Sequence, residues 1–147
     1  MKRRIFQHML CATLGLLALA PGAGCRLAGP APEPREGEWV QLFNGKDLSD
    51  WIVKINHHAL GENFGNTFRV EDGLIKVRYD QYGDFGERFG HLYYKRPFSH
   101  YRLAVEYRFV GTLHKGAPKY ADLNSGVMFH SQDPRTILFD QNWPIAL

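Results

Sequence analysis

Two stretches of the chain alternate apolar and polar side chains with the period of two expected of β-strands. In residues 101–109, Tyr101, Leu103, Val105, Tyr107 and Phe109 fall on one face, and Arg102, Ala104, Glu106 and Arg108 on the other. In residues 124–130, Ser125, Val127 and Phe129 point one way, and Asn124, Gly126, Met128 and His130 the other. If the two strands are partners, their apolar faces meet in a core. Glu106, Arg108, Asn124 and His130 then gather on the opposite face, which is the candidate site.

The rest of the chain reads as shorter strands between turns. Residues 39–43 form a first apolar run, closed by Asn44-Gly45, and Trp51-Ile52-Val53 a second. Residues 57–66, rich in Gly and Asn, read as a loop. Residues 67–70 and 74–79 flank Glu71-Asp72-Gly73, a hairpin turn in which Gly supplies the positive φ. Residues 80–90, rich in Gly and charge, predict an exposed loop. Strand character resumes at residues 91–95 and stops at Arg96-Pro97, because proline has no N–H for a ladder. Residues 111–123 form a long loop, and Gln132-Asp133-Pro134 a turn. The chain stops on Trp143-Pro144-Ile145-Ala146-Leu147, an apolar run without a polar tail, which predicts a sheet left incomplete. Together the pattern predicts an all-β fold, an antiparallel β-sandwich.

Composition agrees. The chain has 147 residues, enough for one domain with a real core, and its aromatic content of 14% with 15 glycines suits strands and turns. The formal charge of +3 changes meaning once its source is located. Lys2, Arg3 and Arg4 precede an apolar run at residues 9–20, too short for a membrane span of ~20 residues. Residues 1–24 therefore read as a signal peptide. Taking those three from the 18 basic residues leaves 15 against 15 acidic ones, so no basic footprint for nucleic acid remains. Nucleic acid is excluded as a partner.

Gly22-Ala23-Gly24-Cys25 resembles the lipobox of bacterial lipoproteins, though Gly22 stands where that pattern usually has Leu. Cys11 lies in the removed segment, so Cys25 would be left alone, and lipidation explains an odd cysteine in an exported protein. A free thiol in a tail is the plainer alternative. Residues 25–38, with Pro30, Pro32 and Pro34, read as a tether from a membrane anchor to the domain at residues 39–147. The expected location is the periplasm or cell envelope.

Four segments together carry a family resemblance. They are Leu42-Phe43-Asn44-Gly45-Lys46-Asp47-Leu48 followed by Trp51; Phe68-Arg69-Val70-Glu71-Asp72-Gly73-Leu74-Ile75; Phe98 and Tyr101 leading into Leu103-Ala104-Val105-Glu106-Tyr107-Arg108; and Asn124-Ser125-Gly126-Val127. Their order and spacing resemble the 3-keto-disaccharide hydrolase domain family, also described as 3-keto-glucoside lyase and 3-keto-2-hydroxy-glucal hydratase. The resemblance implies a jelly roll of the concanavalin A-like lectin and glucanase type, with a glucoside or disaccharide lying over a concave sheet. It also implies a strand beginning Glu-x-Gln about where the sequence stops at Leu147. The piece in hand would then lack one carboxylate of its parent's site.

The implied chemistry is an elimination. A ketone at C3 acidifies the C2 proton; a base removes it while the C1 oxygen leaves, and water then adds to the unsaturated sugar. The reaction needs a base, an acid and a cation near the enolate oxygen. Glu106 and His130 suit the proton transfers, Arg108 or a divalent cation the enolate, and Asn124, His57 and His91 the sugar. Each has a plainer explanation. Glu106 and Arg108, two apart on one face, would form a surface ion pair of little energy. Asn124 would satisfy a nearby loop, and His130 a backbone carbonyl. His57 and His58, adjacent on the chain, point apart and so are poorly placed to chelate one metal. A non-catalytic carbohydrate-binding module on the same fold is the rival function.

Overall fold

The computed structural model describes residues 37–146, of which 39–146 belong to one compact unit. Its regular elements are all extended or short: strands β1 (Trp51–Ile55), β2 (Phe68–Glu71), β3 (Leu74–Val77) and β4 (Gly90–Tyr94), with single 3-10 turns at Phe64–Asn66, Lys119–Ala121 and Pro134–Thr136. The described residues contain no α-helix, and none of their helices is long and apolar enough to cross a membrane. The chain is all-β, in two antiparallel ladders of two strands each, β1 with β4 and β2 with β3.

The β2–β3 hairpin follows from its turn. Asp72 (φ 55°) and Gly73 (φ 71°) both take positive φ, the pairing that matches the twist of the flanking strands. Lys76 reaches back to Asp72 at 2.8 Å and Glu71 at 3.2 Å across this turn. Ahead of β2, the Asn63 side chain accepts from Phe68 N at 3.0 Å and donates to Phe68 O at 2.7 Å, which serves the strand's first residue without a neighbouring strand.

β1 and β4 pair in the register Trp51 with Tyr94, Val53 with Leu92 and Lys54 with His91. Alternation divides the ladder into two faces. Val53 and Ile55, with Leu92, pack on Phe68 of β2, helped by Leu48 and Phe64, and Ile55 is fully buried. Gly90 keeps this contact open, since a Cβ there would lie 3.1 Å from the Phe68 ring. A second cluster lies beside it. Tyr82, Phe85 and Phe89 are all buried, and Phe85 and Phe89 meet edge to face at 4.9 Å.

Three expectations change here. Residues 80–90 form the irregular loop expected, but their aromatics turn inward, so the loop is a wall of the core. Residues 39–43 form no strand. Neither 101–109 nor 124–130 joins a ladder, and both stretches are exposed on each side, so their apolar faces do not close a core. Alternation specifies which side chains share a face; it does not supply the neighbour whose N–H and C=O groups complete a strand. The two stretches approach where Tyr101 and Phe129 stack with centroids 6.3 Å apart.

Candidate functional site

The face of the β1–β4 ladder opposite the core is polar. Lys54 and His91 are direct partners across it, and Ile52 and Tyr93 are the next pair. Residues 131–145 roof this face. Tyr93 Oη lies 3.4 Å from Ser131 Oγ, His91 Nε2 lies 2.9 Å from the Asn142 carbonyl, and the His91 ring meets Trp143 edge-on at 5.4 Å. The roof folds on itself through Gln132, whose N–H donates to Ile145 O at 2.7 Å while its Oε1 accepts from Gln141 Nε2 and Ile145 N.

Lys54 is the most unusual residue of the face. Its side chain is buried, and its ammonium donates to two backbone carbonyls, Ile55 O at 3.2 Å and His58 O at 2.8 Å, beneath the ring of Phe139. A buried ammonium ordinarily has a carboxylate beside it. Burial pushes Lys54 below the ordinary lysine range, with Glu62 opposing the shift. His91 is also pushed down, first by burial and further by the Lys54 charge, against the pull of the Asn142 carbonyl. A neutral His91 donates from Nε2 to that carbonyl, which leaves Nδ1 as an acceptor. Nδ1 has no hydrogen-bond partner among the described residues.

At the end of β1 the buried Asn56 amide gathers three acceptors, the Glu87 carbonyl at 3.0 Å, His57 Nε2 at 3.1 Å and Asn142 Oδ1. Its own Oδ1 is buried without a donor. His57 takes positive φ (65°), and its N–H donates to Phe139 O at 2.8 Å. His58 turns away to Glu62, Nδ1 to Oε1 2.7 Å, with its ring stacked on Phe64. The adjacent histidines do point apart.

Beyond Ser131 lies an open groove of about 590 Å³ lined by Ser99, His100, Tyr101, Leu103, Phe129 and His130. Its lining combines two aromatic rings, Tyr101 and Phe129, with the polar Ser99, His100 and His130. His130, in this lining, takes positive φ (48°). Asn124 donates to Tyr120 O at 2.9 Å, a bond within its own loop. Glu106 and Arg108 are exposed, and among the described residues neither forms a hydrogen bond or an ion pair. Of the residues singled out from sequence, His57 and His91 share the roofed face and His130 stands at the groove; among the described residues no hydrogen bond or ion pair joins Glu106, Arg108 or Asn124 to them. Among the described residues no cluster of three or more His, Cys, Asp or Glu is placed to hold a metal ion. Cys25 lies outside the described residues.

A family model described as 3-keto-alpha-glucoside-1,2-lyase-like domain matches residues 38–145. The chain belongs to that family. The match bears out the resemblance carried by the four segments and ties the lyase-like domain to carbohydrate chemistry. No curated protein and no solved structure matches the chain.

Lys54, Asn56 and Asn142 of the lyase-like domain were not among the site residues expected from sequence. Lys54 could have been found. It interrupts the apolar run from Trp51 to Ile55, and alternation places it opposite Val53 and Ile55. Asn142 could not, because only the folded roof brings it to β4.

Proposed function

We propose that the protein is an exported enzyme that cleaves 3-keto-glycosides by abstracting the C2 proton, expelling the C1 group and hydrating the product. The observation that carries this reading is the family match over residues 38–145. The neighbouring groove and polar face support it, since a lining of aromatic and polar side chains suits the two kinds of surface a sugar presents. On this reading His130 and Glu106 move the protons, Arg108 or a divalent cation steadies the enolate, and Asn124, His57 and His91 hold the sugar. The strands would belong to a jelly-roll sandwich, and lipidation of Cys25 would hold the domain at the cell envelope.

The test is incubation with 3-keto-trehalose or an aryl 3-keto-glucoside, with and without divalent metal, following release of the C1 group. Turnover is expected, with Glu106→Gln and His130→Ala lowering it by about 10²-fold or more while the melting temperature stays within a few degrees. Binding without turnover under all these conditions would make the domain a carbohydrate-binding module instead. Losses of activity that track losses of folding would make the two residues structural.

A further inference from the structure

The buried ammonium of Lys54 has no part in the proton transfers just assigned, yet Lys54 pairs with His91 in the ladder and its ammonium forms no ion pair among the described residues, with Glu62 acting on it only at a distance. We propose that Lys54 is a positioning residue for substrate recognition: by its place across the β1–β4 ladder and its bonds to Ile55 O and His58 O, it keeps His91 a neutral imidazole whose Nδ1 accepts a hydrogen bond from a sugar hydroxyl. This rests on the carbohydrate reading above and names the acceptor that reading lacks.

The geometry supplies each part. The Asn142 carbonyl can only accept, so the neutral tautomer places its single proton on Nε2 and its lone pair on Nδ1. Protonation would turn Nδ1 into a donor, suited to a carboxylate and poorly to a hydroxyl already donating. Burial opposes that protonation first, and the positive charge of Lys54, the ladder partner of His91, adds to the effect. The other titratable or charged groups on the surrounding elements are His57, His58 and Glu62 after β1, Glu87 and Arg88 before β4, Tyr93 and Tyr94 on β4 itself, and Asp133, Arg135 and Asp140 in the roof. None of these charges registers on His91, and that of Lys54 does. Its fastening explains why it stays in place: the carbonyl of Ile55 at the end of β1 and that of His58 in the turn beyond hold it, on either side of His57.

The experiment follows the His91 ring by ¹⁵N NMR, assigned through His91→Gln. In the unaltered protein the ring should titrate below the ordinary imidazole value and shift a second time in alkali, where Lys54 loses its proton. A ring that shows no alkaline step overturns the proposal, and this measurement needs no variant. Lys54→Met, of similar stem length, should raise the His91 midpoint; an unchanged midpoint in the folded variant also overturns it. With methyl 3-keto-glucoside as probe, Lys54→Met should bind several-fold more weakly at pH 6 and as well as the parent at pH 8, with kcat unchanged. Lys54→Arg, which keeps the charge, should keep the parent's profile. Equal weakening at both pH values would mean that Lys54 only braces the turn. Were no 3-keto-glucoside bound by the unaltered protein while the ring still followed Lys54, the carbohydrate reading would fail and the coupling stand.

Discussion

Gly73 shows how much one position can decide. At φ 71° it completes the two-residue turn of the β2–β3 hairpin, and nothing crowds the place where its Cβ would be except Gly45 O at 4.0 Å. The cost of a side chain there is therefore backbone strain alone. Gly73→Ala should destabilise the domain by about 1 kcal/mol, read from chemical denaturation. This residue was legible in the sequence because Asp-Gly between two apolar runs has few other conformations to adopt. Lys54 was less so, since a single charge in an apolar run looks the same whether it reaches solvent or is buried under a roof.

At the scale of the element, the β1–β4 ladder carries both the core and the polar face. Ile55 is fully buried against Phe68, so Ile55→Ala should cost about 2–5 kcal/mol, measured as a lowered denaturation midpoint at unchanged slope. The same ladder explains what pattern reading could and could not deliver. That a strand pair has one apolar and one chemically equipped face is a property of the pleat, and it holds here. Which strands form the pair is a property of distant contacts: β1 and β4 lie 35 residues apart from Ile55 to Gly90, and no local signal joins them. Residues 101–109, with the cleaner alternation, remain without a partner strand among the described residues. His91 was found in the sequence as the first residue of an apolar run, and its bond to Asn142 could be known only from the fold.

The molecule as a whole balances its charges locally, and this sets its response to acid. Asp47 is held at about 2 by hydrogen bonds from Ser49 and then Asn44, and Asp133 at about 2 by Arg135. Asp80, Asp72 and Glu62 are also lowered, chiefly by hydrogen bonds from Arg69, Lys76 and His58. A carboxyl that binds its proton less readily when folded stabilises the fold above its unfolded value and loses that contribution as pH falls through its folded value. The part of the stability these carboxylates supply should thus hold down to about pH 4 and be lost towards pH 2, seen as falling melting temperatures. His91 works in the same direction higher up: its folded value is depressed, so stability should begin to slip below the ordinary imidazole value of 6.5.

The exposed, ladderless course of residues 101–110 has a consequence on the clock of isotope exchange. Its amides donate to no backbone carbonyl among the described residues, whereas the interstrand bonds of β1 with β4 join the best-buried part of the chain. Dissolved in heavy water, the protein should take up deuterium along 101–110 within the first seconds, while the amides shared by β1 and β4 keep their protium until the domain opens. Mass spectra of the peptic fragments would then separate a slow heart from a fast margin in one short time course.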